Sequence, residues 1–372
     1  MGSEYLNLMR CDVAVVGGGP IGCTAARLLA RRGYHTVVLE EHDSIGEPVR
    51  CAGLVTLRVL DLAGVDHDVI QQKITGAAVH APGGETVHIG GDRTHAVAVD
   101  RRSFDRDIAE QAVAAGAELR CSWKVTGIRG VDGGFVVTGN GELRCSHVIG
   151  ADGVRSSVAA MLGFPQPPEY VQALQTVNPA GDAPGEVDVW VGNDVAPGFF
   201  AWRIPAGDTT RVGLGVSAGR GIMHYFQRLL RRLAVEPHEV QAGLIPMEMS
   251  RRFCTGRAAL IGDAAGQVKA TSGGGLYPGL VAARCLADAL EEGTTDYRRR
   301  FMRSYGRELK RSVWLRQRFK GLSDGDMDRL LGMVDADIAA TVTAHGDLDY
   351  PSRAVKKVVG RHPSLLRFLL PF

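Results

Sequence analysis

The feature that most constrains this chain is a glycine-rich turn at residues 17–22, whose sequence GGGPIG fits the pattern GxGxxG. A β-branched run at 11–16 predicts a strand before the turn, and a helix is predicted at 23–32. A second strand is predicted at 36–39, which completes a strand–helix–strand unit of ordinary length. In such a unit the glycines permit the tight turn, the close approach of a pyrophosphate and the close packing of helix on strand. The turn therefore predicts a Rossmann-type dinucleotide-binding fold.

The acidic residue that ends the second strand bears on which dinucleotide is bound. Glu40 lies 23 residues after Gly17. Its carboxylate can accept a hydrogen bond from a ribose 2′-hydroxyl and would repel a 2′-phosphate. The residues at 41–43 are Glu, His and Asp, so no Arg or Lys follows that could bind such a phosphate. NADP is therefore disfavoured at this site, whereas FAD and NAD both remain open.

Three further segments decide between FAD and NAD by resemblance. Residues 148–153 have the sequence VIGADG, residues 259–266 have ALIGDAAG, and residues 100–105 have DRRSFD. In this order they resemble the fingerprints of the glutathione-reductase-like flavoproteins in the hydroxybenzoate-hydroxylase group. The resemblance implies that FAD is the cofactor.

The same resemblance assigns roles to single residues. It implies that Asp263 binds the ribityl chain, that Asp152 lies near the pyrophosphate and that Arg101 approaches the flavin. A glycine run at 273–275 precedes a helix predicted at 276–290, whose first amides can point at the flavin N1–C2=O edge. Reduction leaves negative charge at that edge, and a helix N-terminus stabilises such charge by about 0.3–1 kcal/mol.

Two more segments narrow the family. Residues 47–53 have the sequence EPVRCAG, and residues 200–205 have FAWRIP. Together with GDAAG and SGGG they resemble the geranylgeranyl reductase family, which carries a PxxC-type segment near the flavin and a YxWxFP-like motif in its lipid-binding sheet. Phe200 stands where that motif has Tyr, and Ile204 stands where it has Phe. The resemblance covers roughly residues 10–290.

The family hydrogenates isolated double bonds in isoprenoid chains, so the resemblance implies hydride transfer from flavin N5 to one alkene carbon and protonation of the other. An unactivated alkene has no carbonyl to polarise, so positioning and the proton source matter most. Cys51 is the candidate catalytic residue, as proton source or gate, and a thiol that merely packs is the alternative. The implied substrate contacts are Phe200, Trp202, Ile204 and Pro205. The implied cofactor contacts are Gly17, Gly19, Pro20, Ile21, Gly22, Glu40, Glu41, Arg50, Cys51, Ala52, Arg101, Val125, Asp152, Gly262, Asp263, Gly273, Gly274, Gly275 and Leu276.

Short strands without intervening helices, predicted at 186–191, 199–205 and 211–217, indicate an antiparallel sheet. Alternation places apolar side chains on one face of each strand, so the sheet is expected either to wall an apolar tunnel or to pack on its own core. The residues of the three faces are Phe200, Trp202 and Ile204, then Val212, Leu214 and Val216, and then Val187, Val189 and Val191. A stretch at 165–185 rich in Pro, Gly and Gln resembles a domain boundary.

The predicted fold class is therefore α/β, α+β overall, with a discontinuous Rossmann-type FAD-binding domain, an antiparallel-sheet substrate domain and a helical C-terminal region. The FAD-binding domain is expected at 8–75, 100–164 and 251–295, the substrate domain at 76–99 and 165–250, and the C-terminal region at 296–372. A chain of 372 residues, 45% hydrophobic and 23% charged, fits a folded protein of about two domains.

Charge and cysteine content exclude several classes of protein. A net charge of +2 gives no general affinity for nucleic acid. Seven cysteines without a CxxC pair predict no disulfide framework, no metal site and a reducing, cytoplasmic compartment. No signal peptide and no apolar run of about 18 residues is present, so contact with lipid is expected from the membrane surface.

The tail carries a basic, amphipathic pattern. Residues 297–320 hold ten Arg or Lys and one acid, Glu308. Apolar residues recur there at near-helical spacing, and the chain ends with the sequence LLRFLLPF. The pattern predicts a helix that either lies on an anionic membrane surface or packs on the flavin domain. The apolar residues are Phe301, Tyr305, Leu309, Val313 and Trp314.

Two other functions share much of this pattern. A flavin-dependent monooxygenase or halogenase has the same fold, and FAWRIP also resembles the halogenase WxWxIP motif. Halogenases need an active-site lysine, and Lys73, the only lysine before Lys124, lies in no recognisable motif. A flavin-containing lipid carrier is the non-enzymatic alternative. The electron donor is open among NAD(P)H, a ferredoxin and a deazaflavin, because no second GxGxxG is present.

Overall fold

The computed structural model describes residues 9–179, 185–219, 221–290 and 294–368. The predicted α/β class, with a Rossmann-type region, a second sheet and a helical C-terminal region, is confirmed. The strands are β1 (Met9–Val16), β2 (Thr36–Leu39), β3 (Leu54–Val55), β4 (Ile70–Ile74), β5 (Gly76–His80), β6 (Thr86–Gly90), β7 (Ala96–Val99), β8 (Glu118–Arg120), β9 (Gly127–Val131), β10 (Gly134–Thr138), β11 (Glu142–Gly150), β12 (Tyr170–Pro179), β13 (Glu186–Trp190), β14 (Ala201–Ala206), β15 (Thr209–Ser217), β16 (Glu239–Pro246), β17 (Cys254–Thr255) and β18 (Ala258–Leu260). The helices are α1 (Pro20–Ala30), α2 (Leu57–Ala63), α3 (Arg101–Ala114), α4 (Ser157–Met161), α5 (Ile222–Arg232), α6 (Leu276–Ala289), α7 (Thr294–Phe301), α8 (Arg307–Lys320), α9 (Asp324–Gly332), α10 (Ala336–His345) and α11 (Pro351–Arg361).

An eight-stranded sheet organises the dinucleotide-binding region. Its main path is β17–β18–β11–β1–β2–β8, and β9 and β10 extend it from β11 as antiparallel strands. The strands β18, β11, β1, β2 and β8 run parallel to one another, and β17 pairs antiparallel with β18. Val13, Val15 and Ile149 are fully buried, as expected for a parallel sheet that helices cover on both faces. The helix α1 begins three residues earlier than expected, since Pro20 takes its first position and Gly19 caps it.

A seven-stranded sheet forms the second layer, in the order β16–β12–β15–β14–β13–β5–β6. Its pairs are antiparallel, as expected, except for the parallel pair of β13 with β5. The inner face, which carries Val187, Trp202 and Ile204, packs towards the dinucleotide-binding region. A three-stranded sheet, β3–β7–β4, also contributes side chains to this packing.

The apolar face of β15, which was expected to lie on the same side of the sheet as Trp202, lies on the opposite side. Val212, Leu214 and Val216 of β15 are buried, but they pack beneath α5 against Phe226 and Leu229. They therefore belong to the outer core of the sheet and are excluded from the inner face that carries Trp202. The reason is the register of the two strands. Trp202 pairs with Gly213, so Gly213 shares the inner face with Trp202, and the neighbouring Val212 and Leu214 point to the opposite face.

The stretch at 165–185, expected to be a boundary, contains the ten-residue strand β12. That strand lies inside the sheet between β15 and β16. Its Gln, Thr and Asn residues concealed a strand that is buried on both faces, since Val171 packs in the core of the inner face and Leu174 packs in the core beneath α5. The part of the expected boundary at 180–184 lies outside the described residues.

The C-terminal region is helical, as expected, and it packs on the flavin domain. The predicted basic helix is two helices, α7 and α8, joined by a π-helical turn at Met302–Gly306. Phe301, Tyr305 and Leu309 are 0–2% exposed and belong to the same core as β1. The apolar face that was considered for membrane contact is therefore buried inside the protein. Trp314 remains exposed, and the last residues, 369–372, lie outside the described part of the chain.

Candidate flavin site

The glycine turn after β1 has the geometry that a pyrophosphate needs. Gly17 has a φ of +106°, and a Cβ there would lie 2.4 Å from the carbonyl oxygen of Ala151. A Cβ on Gly22 would lie 2.1 Å from the carbonyl oxygen of Gly17, so helix and turn are in close contact. At Gly19, by contrast, no described atom lies within 4 Å of a Cβ position, and no described side chain caps α1. The open backbone and free N–H groups fit a bound diphosphate.

Glu40 is fixed at the end of β2. One carboxylate oxygen accepts from the N–H of Gly18 at 2.6 Å, and the other accepts from the N–H of His42 at 3.0 Å. The carboxylate thus faces the glycine turn, where a ribose hydroxyl is expected. Glu41 instead points outward and pairs with Lys124 at 3.2 Å. Val125, which follows in the chain, is buried beside this edge.

Asp152 directs its carboxylate away from the glycine turn. The carboxylate accepts from the hydroxyls of Ser156 and Ser157 at 2.6 and 2.9 Å and from the N–H of Val158 at 3.1 Å, at the start of α4. The main chain of Asp152 is what approaches the turn, since its Cα would lie 2.9 Å from a Cβ on Gly17. The structure therefore places the backbone of Asp152, and not its side chain, beside the expected pyrophosphate site.

Asp263 lies against the glycine run that precedes α6. We call Gly273–Gly275 the flavin-edge turn. A Cβ on Gly275 would lie 2.7 Å from Oδ1 of Asp263, so only glycine fits there. Burial raises the pKa of Asp263 to about 6, although the guanidinium of Arg101 acts in the opposite direction.

The N-termini of α1 and α6 converge. A Cβ on Gly279 would lie 2.7 Å from Cδ1 of Ile21, and Ile21 also packs 3.4 Å from a Cβ position on Gly262. The flavin-edge turn ends at Gly275, where no described side chain caps α6. The free amides of the two helices, together with half-buried Leu276, therefore lie close enough together to fit one extended dinucleotide.

Arg101 connects the flavin region to Cys51. Its Nη2 donates to both carboxylate oxygens of Asp105 at 2.9 Å, and its guanidinium stacks on the ring of Phe104 at 5.9 Å. Burial disfavours the charged guanidinium, but Asp105 and the thiol of Cys51 outweigh it and raise the pKa of Arg101. The thiol of Cys51 is half-buried and also accepts from the N–H of Gly53 at 3.4 Å. Arg101 and Cys51, singled out separately in the sequence, are therefore neighbours.

Two residues that were not predicted from the sequence bind the segment at 50–53 to the inner face of the seven-stranded sheet. Gln175 of β12 donates to the carbonyl oxygen of Cys51 at 3.2 Å. Arg211 of β15 donates to the carbonyl oxygen of Ala52 at 2.6 Å. Both side chains are buried, and a polar residue on an apolar strand face is the one signal that pointed to them. Arg50 is exposed at the edge of this contact, whereas Ala52 packs with the inner face.

Aromatic side chains on the inner face abut the flavin-edge turn. A Cβ on Gly273 would lie 3.3 Å from the ring of Phe199 and 3.2 Å from Cδ1 of Ile245. The rings of Phe199 and Phe200 stack at 4.1 Å, and Phe200 meets Trp202 edge-on at 6.0 Å. These residues and Ile204 thus bring an apolar surface to the cofactor region.

Two features of this face bear on what it binds. Pro205 follows Ile204 in β14, so strand alternation points it to the opposite face. Nε1 of Trp202 and Oε1 of Gln175 are buried polar atoms without a hydrogen-bond partner among the described residues. Such atoms are uncommon in folded proteins, and both of these lie on the inner face of the sheet.

An FAD binding domain matches residues 10–218 of this chain. With the glycine turn, Asp263 and the flavin-edge turn brought together around Ile21, the fold and site are those of an FAD-dependent oxidoreductase. The expected cofactor, FAD, is thereby confirmed.

Similar proteins of known name show to which family of FAD-dependent oxidoreductases the chain belongs. The chain is 31% identical to a digeranylgeranylglycerophospholipid reductase of Methanothrix thermoacetophila, over 91% of this chain and 95% of that protein. It is 29% identical to digeranylgeranylglycerophospholipid reductase 2 of Methanothermobacter thermautotrophicus, over 97% of this chain and 99% of that protein. The chain belongs to the family of these enzymes, the geranylgeranyl reductase family that its motifs predicted.

Solved structures show the same fold. A geranylgeranyl bacteriochlorophyll reductase-like protein of Thermoplasma acidophilum superposes with a TM-score of 0.81 at 24% identity, over 98% of this chain and 99% of that one. The p-nitrophenol 4-monooxygenase of Pseudomonas putida superposes with a TM-score of 0.65 at 20% identity, over 97% and 99%. Since reductases and monooxygenases share this fold, the fold alone does not distinguish them.

Proposed function

We propose that this chain hydrogenates isolated double bonds in the geranylgeranyl or related isoprenoid chain of a lipid. The observation that carries the proposal is the contact between the apolar inner face, through Phe199 and Ile245, and the flavin-edge turn. A prenyl chain has no polar group along its length, so it needs an apolar wall beside the site of hydride transfer. The relatives of this chain, which are digeranylgeranylglycerophospholipid reductases, support the same substrate class.

Bound FAD in its reduced form supplies the hydride. The residues of this chain have three other tasks. Phe200, Trp202 and Ile204 bind the alkene and exclude water from it, which replaces the polarisation that a carbonyl substrate would allow. The free amides at the start of α6 stabilise negative charge at the edge of the cofactor. A proton donor must then lie near the second alkene carbon.

Cys51 is the proposed proton donor. Its thiol is half-buried beside Arg101, and its main chain is held against the inner face by Gln175. A thiol in this position can donate its proton to the second alkene carbon and then recover a proton from solvent. A gate or a packing role for Cys51 gives no such proton transfer, and the variants described in the Discussion separate these roles.

Mass spectrometry tests the proposed reaction directly. Purified protein, reduced with dithionite under anaerobic conditions, is incubated with a geranylgeranyl-glycerol lipid. We expect products that gain one H₂ for each reduced double bond, and the fully saturated lipid serves as the control that gains none. An unchanged mass with the flavin fully bound and reduced would contradict the proposal.

A flavin-dependent monooxygenase or halogenase is the alternative that the shared fold leaves to be tested. A halogenase requires an active-site lysine. Lys73 is exposed on β4, which disfavours that role for it. Oxygen uptake coupled to aerobic NADPH consumption is expected of a monooxygenase and not of the reductase.

The reaction requires an electron donor, and NAD(P)H, a ferredoxin and a deazaflavin are the three proposed classes. Anaerobic bleaching of the flavin by each donor in turn tests them. A donor class that leaves the flavin oxidised over many turnover times is excluded. A chain that accepts electrons from dithionite alone would contradict all three.

A basic ridge on the C-terminal region is the proposed contact with the membrane surface. Five cations and Met302 line a surface concavity of about 430 Å³ around the π-helical turn. Except for Arg299, which pairs with Asp296, these cations have no ion pair within the part of the chain that the structure describes. No helix there is long and apolar enough to cross a bilayer. The cations of the basic ridge are Arg298, Arg299, Arg303, Arg307 and Lys310.

Because the apolar face of α7 and α8 is buried, binding through the basic ridge is expected to be electrostatic and therefore salt-sensitive. Flotation with anionic vesicles at low and high salt tests this. Arg303→Glu with Arg307→Glu should abolish flotation. The matched control is Arg231→Glu with Arg232→Glu on exposed α5, which should float normally. Equal flotation of both double variants would contradict the proposed surface.

A further inference from the structure

A buried ion pair joins the C-terminal region to the flavin site. Nζ of Lys269 lies 2.8 Å from Oδ1 of Asp349, and the two side chains are 8% and 1% exposed. Nζ also donates to the carbonyl oxygen of Leu348 at 2.8 Å. Desolvation of two charges offsets most of what such a pair gains, so stability alone is a weak explanation for it. Its position suggests another one.

Lys269 lies directly beneath the flavin-edge turn. Its carbonyl oxygen accepts from the N–H of Gly273 at 2.8 Å, and its N–H donates to the carbonyl oxygen of Gly274 at 3.1 Å. A Cβ on Gly274 would lie 3.1 Å from Nζ, so the ammonium folds back under the turn. A positive charge is thereby held next to the amides that face the flavin edge.

Asp349 is fixed by groups from three parts of the chain. Its second carboxylate oxygen accepts from Oγ1 of Thr56 at 2.6 Å and from Nη1 of Arg58 at 3.1 Å. Its carbonyl oxygen accepts from the hydroxyl of Tyr305. Thr56 and Arg58 follow the segment that carries Cys51, so one carboxylate links that segment, the flavin-edge turn and the C-terminal helices.

We propose that Asp349 is a positioning residue for the cofactor, which holds the Lys269 ammonium beneath the flavin-edge turn, offsets its charge and thereby sets the reduction potential of the bound flavin. Reduction adds negative charge at the cofactor edge, so a nearby cation favours the reduced form and a nearby carboxylate opposes it. The proposal rests on bound FAD and does not depend on the identity of the lipid substrate.

Spectroelectrochemical titration of the FAD-loaded protein tests the proposal without any substrate. Asp349→Asn should raise the potential, because it leaves the Lys269 charge without its counterion. Lys269→Met should lower it, because it removes the positive charge beneath the flavin-edge turn and leaves the Asp349 carboxylate paired with the more exposed Arg58. Each variant should change the equilibrium constant for flavin reduction at least tenfold, which corresponds to a shift in potential of about 30 mV for a two-electron couple. The double variant should return towards the original potential.

Asp188→Asn is the matched control. Asp188 of β13 pairs with Arg203 at 2.7 Å, and among the described residues it contacts neither Lys269 nor Asp349, so the potential should not move. Shifts of the same sign in the two single variants, or none, would overturn the proposal and leave the pair a structural clasp. If Asp349→Asn does not retain FAD, the double variant should still have a higher potential than Lys269→Met. Equal potentials in that comparison would also overturn it.

Discussion

Arg211 donates to the carbonyl oxygen of Ala52 at 2.6 Å and so attaches the segment that carries Cys51 to the inner face of the seven-stranded sheet. Its Nη2 also donates to the carbonyl oxygen of Val99 at 3.1 Å. Gly53 allows this contact, because a Cβ there would lie 2.2 Å from Nη1 of Arg211. Because Arg211 pairs with Ile204 of FAWRIP across β14 and β15, this contact places EPVRCAG beside FAWRIP.

Replacement of Arg211 by Met should destabilise the protein by about 2–4 kcal/mol, because it leaves buried carbonyl oxygens without donors. Thermal unfolding of the two proteins measures the difference. Arg203→Met on the neighbouring strand is the control, since Arg203 is 46% exposed and forms an ion pair with Asp188. Its cost should stay within about 1 kcal/mol. Equal costs would show that Arg211 does not anchor the segment.

Gly17→Ala should abolish FAD binding while the chain still folds. The φ of +106° is strained for any Cβ, and that Cβ would collide with the carbonyl oxygen of Ala151 at 2.4 Å. The bound flavin of the purified protein is read from its absorbance. Gly130→Ala on β9, where no described atom lies within 4 Å of the new Cβ, is the control and should purify with FAD. Normal flavin content in Gly17→Ala would contradict the assignment of the phosphate site.

Cys51→Ala should lower turnover at least tenfold if the thiol donates the proton, with flavin content unchanged. The solvent deuterium isotope effect on turnover should also change, because the proton must then come from water. Cys254→Ala, at a half-buried cysteine on β17, is the matched control for loss of a thiol. Full turnover with an unchanged isotope effect in Cys51→Ala would assign Cys51 to packing.

The raised pKa of Asp263 makes the stability of the FAD-free protein depend on pH. Burial raises this pKa from 3.8 to about 6, so the folded state binds more protons than the unfolded state between these values. The contribution of Asp263 to stability is therefore greatest below about pH 4 and is lost as the pH rises through about 6. Asp263→Asn removes that loss, so its advantage over the original protein should grow by about 2–3 kcal/mol between pH 4 and pH 7. Parallel urea unfolding curves across this range would contradict the assignment.

The parts of the fold that were predictable from sequence are those that local chemistry dictates. The glycine turn at 17–22 and the strand Thr36–Leu39 follow from glycine conformation and β-branched runs, which act within a few residues. The hairpin of β5 and β6 has the sequence Pro-Gly-Gly in its turn, and these residue types favour a turn by their own backbone preferences. Each of these needs no knowledge of a distant partner.

The features that were not predictable depend on partners far away in the chain. Strand β12 has a polar composition, and its central place in the sheet comes from pairing with β15 and β16. The side chains of Val212 and Leu214 alternate as predicted, but which face meets the flavin depends on register with Trp202. Asp349 bears no motif at all, and its role is visible only when the C-terminal helices fold back onto Lys269.

The most direct test of the central claim is the anaerobic reoxidation of the reduced flavin by a geranylgeranyl lipid. Protein reduced with one equivalent of dithionite is mixed with the unsaturated lipid or with its saturated counterpart, and the flavin absorbance is followed. We predict that the oxidised flavin spectrum returns with the unsaturated lipid and stays bleached with the saturated one. A spectrum that stays bleached with both lipids, in protein that holds its full complement of FAD, would contradict the account.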